Sequence, residues 1–104
     1  TPLKASHIIL IGMVRQETQK IPVVEEVAAV ACAVQNMLLT ASAFGVGCYW
    51  STGGMTYKQE MKTFLGLGEN DQCLGMLYVG NYDGEITDSK RKHIEEKSTW
   101  FTEL

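Results

Sequence analysis

The sequence predicts an α+β domain in which a small sheet packs against one long, buried helix. Three observations carry that expectation. Apolar runs rich in β-branched and aromatic residues stand at 7–14, 47–52 and 72–82, and such runs read as strands. Between the first two, apolar residues recur at helical spacing from Val23 to Phe44. The chain has 104 residues, 45% of them apolar and 20% charged, which is enough for one domain with one modest core.

The elements follow in order. His7 to Val14 is a continuous apolar run and suits a strand buried on both faces. Arg15 to Lys20 is polar and reads as a loop. Pro22 stands where a helix begins, since its missing N–H costs nothing in the first turn. Glu25 and Glu26 follow, where negative charge offsets the positive end of the helix dipole. The helix should run from about Val23 to Phe44 and stop at Gly45. Two apolar stripes line it. One is Val24, Val27, Ala31, Val34, Leu38 and Ala41; the other holds Val30, Ala33, Met37 and Phe44. A helix apolar on most sides is buried on most sides. One stripe should meet the chain's own sheet and the other a partner subunit, so a homodimer through the Val23–Phe44 helix is expected.

Gly47 to Thr52 is a short strand centred on Cys48, Tyr49 and Trp50. Gly53 and Gly54 make a loop. Thr56 as N-cap with Gln59 three residues on would open a short helix from about Tyr57 to Leu65, ended by Gly66. A turn over Gly66, Gly68, Asn70 and Asp71 leads to the last strand, from Gln72 to Tyr82. Residues 84–104 read as an extended, largely charged arm that returns to apolar chemistry at Trp100, Phe101 and Leu104.

Composition excludes several classes. Nine Lys and Arg against twelve Asp and Glu give a net charge of -3, which is the wrong sign for a nucleic-acid surface. The basic Lys90-Arg91-Lys92 run is flanked by Asp88, Glu95 and Glu96 and reads as solvated. Cys32, Cys48 and Cys73 are an odd, widely spaced set with no disulfide framework. Each sits among apolar neighbours, as packed free thiols do. A reducing cytoplasm is the simplest compartment, and no signal peptide is visible. His7 and His93 have no ligand partners at metal spacing, so no metal site is expected. No residue from Val27 to Tyr57 is charged, which raises a membrane span as an alternative. Gln35 and Asn36 in mid-helix, with no basic flank, argue against it. The first residue is Thr1 rather than Met, as in a processed chain or a piece of something longer.

The chemistry concentrates at Gly45-Val46-Gly47-Cys48-Tyr49-Trp50-Ser51-Thr52-Gly53-Gly54. These glycines follow a helix and enter a strand, the reverse of a phosphate-binding loop. Physically the segment is a tight turn and a strand with a flexible end. That end also offers an aromatic face at Trp50, hydroxyls at Ser51 and Thr52, and unobstructed backbone at Gly53-Gly54.

Several motifs together resemble the C-terminal half of the FMN-dependent nitroreductase family. They are Ala33-Val34-Gln35-Asn36-Met37-Leu38-Leu39, Ala43-Phe44-Gly45-Val46-Gly47 and Trp50-Ser51-Thr52-Gly53. Leu65-Gly66-Leu67, the strand Leu74-Gly75-Met76-Leu77-Tyr78-Val79-Gly80, Ile94-Glu95-Glu96 with Trp100, and Thr1-Pro2-Leu3 extend the resemblance over nearly the whole chain. It implies a partial nitroreductase-like fold with a mainly antiparallel sheet, FMN as cofactor, and NAD(P)H as the reductant. The acceptor would be a nitro, quinone or other electrophilic compound. It further implies that Trp50, Ser51, Thr52 and Gly53 line the flavin ring, with no catalytic side chain of their own because the flavin carries the chemistry. The family's basic Arg-Arg-Ser-x-Arg-like segment, which holds the FMN phosphate, has no counterpart here, and Ser51 stands where many relatives have Arg. The expectation is therefore of a single partial domain over 1–104, with the N-terminal half supplied by preceding residues or by a second polypeptide. The alternative is a cofactor-free, dimerising scaffold.

Overall fold

A computed structural model of the chain describes residues 3–82 and 89–103. Strand β1 spans Leu3–Met13, helix α1 Val23–Ala43, strand β2 Gly47–Ser51, helix α2 Gln59–Leu65 and strand β3 Gln72–Tyr82. The three strands form one antiparallel sheet in the order β1-β3-β2. The α+β expectation is met, and β1 begins four residues earlier than the apolar run suggested.

The core lies between one sheet face and α1. Ile11, Met13, Leu74 and Leu77 are buried against Val34, and Val23, Val27, Val30, Met37 and Leu38 of α1 pack around them with Cys48, Trp50 and Val79. The sheet-facing stripe of α1 therefore takes Val30 and Met37 from the second predicted stripe and leaves Val24 exposed. Val34 is the one fully buried residue of the helix among those described. Val24, Leu39 and Phe44 face outward, with Phe44 80% exposed. Gln35 and Asn36 are exposed, not buried. By length and composition α1 would suffice to cross a membrane; here its inner stripe lies on the sheet.

The other sheet face is uncovered among the described residues. Neighbouring residues on a strand point to opposite faces, so Ile8 and Tyr49 lie away from α1, and Ile8 is 55% exposed. The strands are thus apolar on both faces but covered on one, because a single long helix can cover only one side. The Cα radius of gyration of 17.4 Å exceeds the roughly 13 Å of a compact domain of about this length.

Several local expectations are corrected. Pro22 is the N-cap of α1 and accepts the Glu25 and Glu26 N–H groups at its carbonyl. Glu26 does more than offset the dipole. Its carboxylate accepts the Arg15 Nε–H at 3.1 Å and the Gln16 N–H at 3.1 Å, tying the β1–α1 loop to the helix. Thr56 does not cap α2: Lys58 is the N-cap, two residues later, with no side-chain cap. Cys32 is exposed rather than packed, whereas Cys73 is buried. Of the expected arm, 84–88 and Leu104 lie outside the described residues; 89–103 are almost all exposed, with one 3-10 turn at Ile94–Glu96.

Candidate functional site

The site is built at the free end of β2, an edge strand paired only with β3 among the described residues. Trp50 lies opposite Leu77 and Ser51 opposite Met76. The register of β1 on β3 passes from Ile11↔Gly75 to Gly12↔Cys73 and skips Leu74. This is a β-bulge, a device that re-aims groups at the end of a ladder. The skipped Leu74 carbonyl accepts the Trp50 indole Nε1–H at 2.9 Å. Gly75 makes that contact possible. It sits at φ +126, and a Cβ there would come within 2.6 Å of both the Ser51 carbonyl oxygen and Trp50 Nε1. The apolar run hides Gly75, although an isolated glycine inside a strand is itself a signal of a bulge or close approach.

After Ser51 the chain turns outward. The Gly53 N–H donates to Ser51 Oγ at 3.3 Å, and the Thr56 hydroxyl donates to the Gly53 carbonyl at 2.9 Å. Thr52, Gly53 and Gly54 are exposed, and Trp50 and Ser51 are half-buried. A Cβ on Gly53 would meet only Ser51 Oγ, at 3.7 Å, and one on Gly54 would meet nothing within 4 Å. The four predicted residues are therefore contiguous in space as well as in sequence. They form an uncharged rim with a fixed indole behind it and open backbone in front.

Two further features stand apart from this rim. An open apolar groove of about 370 Å³ runs between α1 and the sheet, lined by Ile9, Met37, Ala41, Cys48, Leu77 and Val79 among others. It includes none of the four predicted residues. Burial pushes the Cys48 thiol up, so it stays protonated at neutral pH. Just ahead of β3, the Asp71 carboxylate accepts N–H groups from Arg15 at 2.9 Å and Gly68 at 2.8 Å. These bonds, led by the one from Arg15, hold its carboxyl below the usual range.

The rim fits the edge of a flat polar heterocycle such as a flavin ring, because it presents hydroxyls and backbone without a Cβ in front. The four residues carry no positive charge of their own for a phosphate, and no Lys or Arg lies between Val27 and Tyr57.

The pattern of the Nitroreductase family matches residues 1–81. The chain belongs to that family. The Escherichia coli K12 protein named "Putative NAD(P)H nitroreductase YdjA" is 33% identical over 79 residues, which are 76% of this chain and 43% of that protein. YfhC of Bacillus subtilis strain 168, which carries the same activity in its name, is 29% identical over 80 residues, 77% of this chain and 40% of its own. Among solved structures, a nitroreductase-like family protein from Bacillus cereus superposes with a TM-score of 0.73 at 27% identity, covering 91% of this chain and 50% of that one. The nitroreductase-like partial fold is thereby established, and the chain spans half or less of the length of each of these relatives.

Proposed function

We propose that this nitroreductase-family chain forms the ring-binding side of an FMN-dependent NAD(P)H oxidoreductase acting on nitro, quinone or similar electrophilic acceptors. The observation that carries the reading is the open, uncharged rim at the end of β2, found in a chain of this family. FMN, when bound, supplies the electron-transfer chemistry. Trp50 would form a wall of the ring site, its indole already fixed by the Leu74 carbonyl. Ser51 and Thr52 would offer hydroxyls to the ring's polar edge, and Gly53 would let the backbone approach it. The indole and the neighbouring apolar core would exclude water from one side of the ring.

The phosphate would be held elsewhere, by basic residues preceding this segment or by a second polypeptide. The same material would cover the bare sheet face around Ile8 and Tyr49. A homodimer through the outer face of Val23–Phe44 would bury Val24, Leu39 and Phe44. The three free cysteines suit a cytoplasmic protein.

Titration of the full-length protein with FMN, followed by flavin fluorescence, tests the reading. Gly53→Val should fold, because a Cβ at Gly53 makes only an ordinary contact, yet bind FMN at least about tenfold more weakly by obstructing the ring. Unchanged affinity in a folded variant would remove Gly53 from the site. A colourless protein that takes up no FMN would instead support the cofactor-free dimerising scaffold.

A further inference from the structure

Thr56 is unlike its surroundings. Thr52, Gly53, Gly54, Met55 and Tyr57 are all exposed, yet Thr56 is 0% exposed. No side-chain polar atom buried among the described residues lacks a partner, and Thr56 meets that condition through one acceptor, the Gly53 carbonyl. Its hydroxyl donates there at 2.9 Å, and its backbone N–H reaches the same oxygen at 3.4 Å. The backbone bond alone is long for an N–H donor, so the hydroxyl is the shorter and better-placed hold. The Gly53 N–H is engaged in turn by Ser51 Oγ at 3.3 Å.

The two Thr56 contacts act on one peptide group, Gly53–Gly54, and the Ser51 contact on the peptide before it. Gly53 and Gly54 have no side chains to restrict them, and Gly54 sits at φ +64. Free glycines sample many orientations. A trans peptide is planar, with its C=O and N–H on opposite sides. Drawing the Gly53 carbonyl toward Thr56 therefore sets the plane of the Gly53–Gly54 peptide and turns the Gly54 N–H the other way. We propose that Thr56 is a positioning residue for the ring site: buried beneath the loop, its hydroxyl holds the Gly53–Gly54 peptide in the orientation that a bound flavin ring meets. The inference rests on the assignment of Trp50–Gly53 to the ring. Nothing about Thr56 requires that it touch the ring itself.

The test compares Thr56→Val, Thr56→Ser and wild type in the full-length protein. The readouts are FMN titration, the position of the bound flavin's absorption bands, and thermal unfolding. Valine keeps the shape and removes the hydroxyl; serine keeps the hydroxyl. Thr56→Val should weaken FMN binding about tenfold and shift the absorption bands. Thr56→Ser should restore wild-type affinity and spectrum even if its melting temperature falls, which a merely structural role does not explain. Amide exchange over 53–56 in the wild type should also slow on FMN binding, a measurement that stands even if Thr56→Val fails to fold. Thr56→Val binding FMN as wild type does, or Thr56→Ser binding as weakly as Thr56→Val, would overturn the role of Thr56 and leave the ring site standing; exchange over 53–56 indifferent to FMN would remove Gly53 from the ring and overturn both. A wild-type protein that binds no FMN would overturn the ring site itself, and this inference with it.

Discussion

Gly75→Ala is the sharpest perturbation that the fold offers. At φ +126 an L-residue is strained wherever it is placed, by about 1–3 kcal/mol. The added Cβ would also lie 2.6 Å from the Ser51 carbonyl and 2.6 Å from Trp50 Nε1, so the indole must move. Its 2.9 Å bond to Leu74 is then lost, at a net cost of about 1 kcal/mol. The two effects together give about 2–4 kcal/mol. At about 4 °C per kcal/mol this is a fall of roughly 8–16 °C in Tm.

The assay is thermal unfolding by circular dichroism, with Trp50 emission read in a Trp100→Phe background. Trp100 is 87% exposed, so its removal should be silent. Gly12→Ala is the control. A Cβ at Gly12 meets only Leu67, at 3.5 Å, so the change should be neutral or stabilising by up to about 1 kcal/mol. A Gly75→Ala variant melting within about 2 °C of wild type, with unshifted Trp50 emission, would refute the bulge argument.

Two further outcomes are expected. Ala33→Glu, on the exposed face of α1, should leave the protomer folded and weaken association, because burying an unpaired charge in an interface is costly; an unchanged mass by analytical ultracentrifugation would exclude that face. Asp71→Asn should flatten the acid side of the stability profile. A lowered carboxyl contributes stability that is complete above its unfolded value of about 3.9 and lost as pH falls through its lower folded value. Parallel urea midpoints for variant and wild type at neutral and acid pH would show the Arg15 and Gly68 bonds to be inconsequential.

The elements were legible because their signals are local. Apolar runs located β3 to its ends and β1 at its C-terminal end but not over its first four residues, and Gly45 and Gly66 marked the helix stops. The four rim residues were legible only as a motif; on periodicity alone they read as a turn and a strand end. What escaped was long-range. Thr56 satisfies the spacing of a capping box, in which its hydroxyl would accept the Gln59 N–H; instead the hydroxyl donates to the Gly53 carbonyl behind it, so local chemistry named the wrong partner and the wrong direction. The sequence explains Glu26 by the helix dipole alone, and only the fold brings the Arg15 Nε to 3.1 Å from its carboxylate. The two helical stripes were mixed because a stripe's assignment depends on where the sheet lies, which no periodicity records.

The position of the rim on an edge strand has a consequence for how the site keeps its shape. β2 contributes five residues and pairs along one side only among the described residues, and short edge strands carry few ladder bonds. Its end and the loop that follows are therefore held by side-chain contacts in addition to the ladder. The Trp50 indole on the Leu74 carbonyl holds one side of the rim, and Thr56 on the Gly53 carbonyl holds the other. Each hold takes up a backbone carbonyl outside the sheet register, one from a bulge and one from a loop. Substitutions at Gly75 or Thr56, neither of which lies in the rim, should thus act on ring binding more strongly than exposed substitutions closer in sequence, such as those at Met55 or Tyr57.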